Sequence, residues 1–284
     1  MLRFIVLAIA LLIPTVLRAQ SGSPDDAVGF VHEIRVLNTT ETSSGNGSSG
    51  SSRSGGTLIE RVIAFRDTGL ELEFDLPLGA TAEERAREWQ WPARVLKAAD
   101  GTLHLLNAPE LEARIDAWLT AGGMTREACG HWIFTWDAFK IECDPQSVIT
   151  ALNAFDLRLG TLGAGVPYTE RGGLGPVSLQ AGTIEVEGST FVAETPVDPI
   201  FIRRERAETD LVVAEITGDR SLTLEAALEA REAEQVTGTI TTTLTTDNRG
   251  RVVSRTTIAD LTTTDAEGGV ERSTSTQRVE RRPL

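Results

Sequence analysis

Apolar and polar residues alternate at period two over several stretches of the chain, and that pattern predicts half-buried strands. Phe30, His32, Ile34 and Val36 share one face of a strand running from Val28 to Asn38. Strands are expected at 57–66 and 70–76, joined at Asp67-Thr68-Gly69, and at 93–106, folded back through Asp100-Gly101. Asp-Gly flanked by alternating hydrophobics is a strong hairpin signal. The run from Cys129 to Cys143 reads as two strands about a turn near Trp136. Further strands are expected around 177–186, 190–194 and 210–217. A C-terminal meander occupies about 236–246, 251–264 and 270–281, turned at Asp247-Asn248-Arg249-Gly250 and Glu267-Gly268-Gly269.

Helical signals punctuate these strands. Thr81 followed by Glu84 is a capping box, so a short helix begins there and stops before Pro92. Asn107 and Glu110 cap a helix whose Leu111, Ile115, Trp118 and Leu119 form one apolar stripe, ended by Gly122-Gly123. Asp144-Pro145 supplies an N-cap and a first-turn proline to a helix carrying Val148, Ile149, Leu152 and Phe155. Another helix spans 222–235, with Leu224 and Leu228 inward. The fold class expected is α+β, mainly antiparallel β meanders with a few helices packed on one face. A curved sheet covered in that way can enclose an apolar cavity.

The chain divides by composition. Residues 1–19 carry a basic start at Arg3, an apolar run broken by Pro14 and Thr15, and a Leu17-Arg18-Ala19 exit, which is a secretory signal peptide cleaved after Ala19. Its apolar run is shorter than the roughly 20 residues that span a bilayer, and no later segment reaches that length. Residues 20–159 form an N-terminal Trp-rich α+β domain. Within it, 39–56 is almost wholly Thr, Ser and Gly, too polar to offset its ordering entropy, and is expected to be a mobile loop. Gly45, Gly47 and Gly50 there spell G-x-G-x-x-G, but no helix follows to receive a dinucleotide phosphate. The glycines of 160–176 mark a linker, and 177–284 forms a C-terminal antiparallel β domain with one helix.

Charge and chemistry narrow the function more than they name it. The chain is 40% hydrophobic and 24% charged, a globular balance. Its net charge of -14 argues against nucleic acid, which requires basic patches. Lys97 and Lys140 are the only lysines, an arginine bias typical of a GC-rich bacterial gene, so the expected location is periplasmic or secreted. In that oxidising compartment Cys129 and Cys143 are expected to pair, closing a short loop worth about 3 kcal/mol.

The tryptophans are Trp89, Trp91, Trp118, Trp132 and Trp136. Such residues are usually core, as Trp118 is expected to be from its helix stripe. Trp89 and Trp91 around a helix end, and Trp136 beside Asp137 at a hairpin tip, are the candidate ligand-facing positions. His32, His104 and His131 stand apart, with no H-E-x-x-H motif, and there is no G-x-S-x-G elbow and no calcium loop. No cofactor, metal or catalytic residue is therefore assigned.

The leading expectation is an exported, non-enzymatic protein that binds an amphiphile, an envelope component or a partner protein. One alternative is an envelope polysaccharide hydrolase using paired carboxylates. Another is a structural adaptor that pairs through a sheet edge.

Overall fold

The computed structural model describes residues 27–134, 138–160, 162–185, 188–219 and 221–284. The expected signal peptide, Trp136 and Asp137 lie outside the described residues. In chain order the structure runs β1 (Val31–Ser44), β2 (Ser49–Arg66), β3 (Gly69–Asp75), α1 (Ala82–Arg87), β4 (Ala93–Ala98), β5 (Leu103–Leu105) and α2 (Ala108–Ala121). It continues with β6 (Trp132–Phe134), β7 (Ala138–Lys140), α3 (Ser147–Phe155), β8 (Pro167–Tyr168), β9 (Val177–Ser178), β10 (Gln180–Glu185) and β11 (Gly188–Pro196). Then follow α4 (Pro199–Thr217), α5 (Leu224–Ala230), β12 (Gln235–Thr246), β13 (Val252–Thr264) and β14 (Val270–Pro283).

Ten strands form one antiparallel sheet in the order β10-β11-β12-β13-β14-β1-β2-β3-β4-β5. The last strand of the chain pairs with the first, from His32 opposite Pro283 to Ser44 opposite Glu271. Segments on the two sides of the glycine-rich stretch thus share a single hydrogen-bonded sheet. They also share a core: Ile34, Val62, Leu72 and Val95 belong to one buried cluster with Leu111, Ile115, Val148 and Leu152 of the helices and with Leu244 and Val279 of the C-terminal meander. Each such side chain contributes roughly 1.5–3 kcal/mol through burial. Along β1, β12 and β14 the buried residues sit at alternate positions, for example His32, Ile34 and Val36, then Ile240, Thr242 and Leu244. The intervening positions are mostly threonine, serine, arginine and glutamate and remain partly exposed.

Several elements differ from expectation. Residues 39–44 and 49–56 are strand, not a mobile loop, and Thr39 faces Arg53 across the hairpin. The turn between them is tied by Ser44 N–H to Ser48 O at 2.9 Å and by Asn46 Oδ1 accepting from Ser48 N–H at 2.9 Å. Composition misleads here because β1 is paired along its length to both β14 and β2, so backbone ladders supply what the side chains do not. The segment 210–217 is not a strand but the last turns of α4, with Asp198 Oδ1 accepting from Ile200 N–H at 2.9 Å and Gly218 closing it at φ +84°. Its β-branched Val212 and Val213 imitate a strand locally. The helix expected over 222–235 is shorter, and Ala227 is its buried residue. Asn107 precedes α2 without capping it; its side chain instead accepts from Arg94 N–H at 2.9 Å and donates to Pro92 O at 3.1 Å.

The capping box is present at α1, with Thr81 N–H donating to Glu84 Oε2 at 2.7 Å and Glu84 N–H to Thr81 Oγ1 at 3.2 Å. Cys129 and Cys143 form a disulfide beneath the β6–β7 hairpin. Among the described residues no helix is long and apolar enough to cross a membrane.

Candidate functional site

Period two places His32 of β1, Glu60 of β2 and Arg281 of β14 on the buried face, where they meet Arg158 from the segment after α3. Glu60 Oε1 accepts from Arg281 Nη2 at 2.7 Å and from Arg158 Nη2 at 2.8 Å. Burial alone would push this carboxyl up, but the two guanidiniums overturn that and hold it down at about 2. Arg281 Nη2 also lies 3.1 Å from His32 Nδ1, and because a guanidinium can only donate, that nitrogen is the acceptor. Glu60 is 3% exposed and Arg281 7%. This cluster is closed to any ligand and fastens the first and last strands together.

The other face of the same three strands is open. There Glu280 of β14 lies opposite Arg35 of β1, Arg278 opposite Leu37, and Gly55 of β2 opposite Leu37 from the other side. Arg53 follows on β2, opposite Thr39, and Arg282 follows Glu280 on β14. These residues line a hollow of about 620 Å³. Its floor is low because Gly55 and Gly56 carry no side chains. A Cβ at Gly55 would stand 2.6 Å from Val36 O, so the close approach of β1 and β2 requires glycine there. The floor thereby leaves the Leu37 side chain partly exposed within a rim of arginines.

The rim is unevenly neutralised. Glu280, whose side chain is 16% exposed, is shared between Arg278 and Arg282, the latter at 2.6 Å. Arg35 Nε donates to Glu33 Oε1 at 2.5 Å. Arg53 forms no ion pair among the described residues. On a chain of net charge -14 this is a locally positive surface.

Hollows elsewhere hold acids, and two of them are of comparable size. One of about 570 Å³ lies between α4 and the turns of two hairpins, where Arg206 meets Glu234 at 3.3 Å and Glu271 at 3.0 Å. Glu234 is also paired to Arg231, so both carboxylates are committed to guanidinium groups. The other, of about 480 Å³, contains Glu84 and Glu88 beside Leu76 and Pro77. The Thr81 backbone N–H and hydroxyl hold Glu84 below its ordinary value, and burial of the Glu88 carboxyl raises it. Opposed shifts are the pattern of an acid–base pair, yet one oxygen of Glu84 takes both Thr81 bonds in the helix cap.

Of the tryptophans singled out by sequence, Trp89 is 4% exposed and part of the core, and Trp91 packs half-buried against it. The arginines of the open hollow were not among those candidates. Arg278, Glu280 and Arg282 do alternate with Gln277, Val279 and Arg281, which is a legible two-faced strand. The pairing of that strand with β1 and β2 carries no such local mark.

No family model and no curated protein matches the chain. Among solved structures, a lipovitellin chain described as showing lipid–protein interactions in lipovitellin is similar at a TM-score of 0.39 and 11% identity. The likeness covers 90% of this chain and 25% of that one, so this chain spans about a quarter of its length. At that score the likeness carries no argument about function.

Proposed function

We propose that the protein is an exported, non-enzymatic binding protein that holds an amphiphile of the cell envelope on the open face of its sheet, with the helices packed on the opposite face. The observation that carries this reading is the hollow in which two glycines leave Leu37 accessible inside a ring of arginines. An apolar floor with a charged rim suits a molecule with one apolar and one polar end, as small-ligand sites combine apolar contact with a few placed polar groups. The disulfide supports an oxidising compartment, periplasmic or extracellular.

Native mass spectrometry of protein purified without detergent from its own envelope tests the reading. A bound amphiphile that leaves when Leu37 is replaced by Asp is expected. Bare protein that also fails to bind added single-chain amphiphiles contradicts it.

The adaptor reading is favoured by one separate observation. β2 acquires its β3 partner only from Ile59 onward, so residues 49–58 present an outer edge with no strand beside it among the described residues. An extended segment of another chain could add there. In-cell crosslinking from position 52 distinguishes the two, since an adaptor gives a discrete protein adduct and an amphiphile binder gives none.

A further inference from the structure

We infer that the polar end of the ligand is a phosphomonoester, and that Glu280 occupies its place when the hollow is empty. This rests on the amphiphile reading above and names the chemical class that the rim selects. Four guanidiniums, from Arg35, Arg53, Arg278 and Arg282, face two carboxylates, Glu33 and Glu280. The excess of two positive charges matches a phosphomonoester, which carries between one and two negative charges at neutral pH. It exceeds what one carboxylate or phosphodiester would neutralise. Guanidinium groups also suit the target, because their paired N–H donors fit the oxygens of a phosphate two at a time.

Glu280 determines how the site loads. Its side chain lies at the centre of the rim, flanked at i−2 and i+2 by the arginines it binds and facing Arg35 across to β1. A carboxylate in that position is the protein's own stand-in for the ligand anion. Arg53 has no such partner among the described residues, so it takes the first contact, and the phosphate then competes with Glu280 for Arg278 and Arg282. The Leu37 floor commits the source of the phosphate to a lipid headgroup and not to free phosphate, since removing the adjoining alkyl chain from water adds affinity that inorganic phosphate lacks.

Three probes sharing this chemistry by parts test the inference: lysophosphatidic acid, lysophosphatidylcholine of the same chain, and inorganic phosphate, titrated calorimetrically into the full mature protein. Lysophosphatidic acid is expected to bind at least tenfold more tightly than lysophosphatidylcholine. Arg53→Ala should weaken lysophosphatidic acid more than lysophosphatidylcholine and so narrow that preference, and Glu280→Gln should tighten lysophosphatidic acid several-fold. Equal affinities for the two lysolipids overturn the phosphomonoester inference and leave the amphiphile reading standing. Binding of inorganic phosphate as tightly as of lysophosphatidic acid overturns the lipid source, and no binding of any probe overturns both. A Glu280→Gln variant with unchanged or weaker affinity and a native circular dichroism spectrum overturns the stand-in role.

Discussion

Glu60 shows how a single position couples distant parts of the chain. It is buried beside Arg158 and Arg281, and removing its charge would leave two largely buried guanidiniums without the carboxylate that holds them together. Breaking a buried pair in this way typically costs about 3–5 kcal/mol, so Glu60→Gln should lower the urea midpoint at pH 7 by a corresponding amount. The same geometry sets an acid limit. A carboxyl lowered from 4.5 to about 2 in the folded state contributes stability that is complete above the unfolded value and is lost as pH falls through the folded one. Denaturation midpoints should therefore fall between pH 4.5 and 2, and Glu60→Gln should flatten that part of the profile; an equally steep profile in the variant would assign acid lability elsewhere. The periodicity of β1 put His32 on the inner face from sequence alone. Its partner Arg281 comes from the other end of the chain, 249 residues away, and no local pattern announces it.

At the scale of elements, the readable parts were those with self-contained chemistry. The Thr81–Glu84 box, the Asp100-Gly101 hairpin and the three strands of the C-terminal meander follow from nearby residues, and the structure has them close to the expected bounds. The β1–β2 hairpin does not, because its order comes from flanking strands. Hydrogen exchange tests that explanation. Amides of 39–44 should be protected throughout, since β1 has partners on both sides, whereas 49–57 should show protection at every second amide only. Uniformly fast exchange across 39–56 would return that segment to a loop. The disulfide below the β6–β7 hairpin closes a loop with a sequence separation of 14, and its reduction should lower global stability by about 3 kcal/mol. Reduced and oxidised proteins of equal stability in denaturant would show that the staple acts only locally.

Taken as a whole molecule, the chain has its two compositional halves joined by the pairing of β14 with β1 and by one core cluster. Calorimetry should accordingly show one cooperative transition, with the calorimetric and van't Hoff enthalpies equal, and two separable transitions would show that the two halves unfold independently. The same pairing assembles the open hollow, because Arg35 and Leu37, Arg53 and Gly55, and Arg278, Glu280 and Arg282 belong to three strands that only this topology sets side by side. The site was therefore illegible in sequence, because it depends on the meeting of the two ends of the chain. The most direct measurement is photo-crosslinking with a single-chain amphiphile carrying a diazirine next to its headgroup, followed by peptide mapping. Adducts should concentrate in the peptides covering 35–39, 53–57 and 276–282; adducts confined to 76–88, or to the cleft of Arg206 and Glu271, would contradict the account.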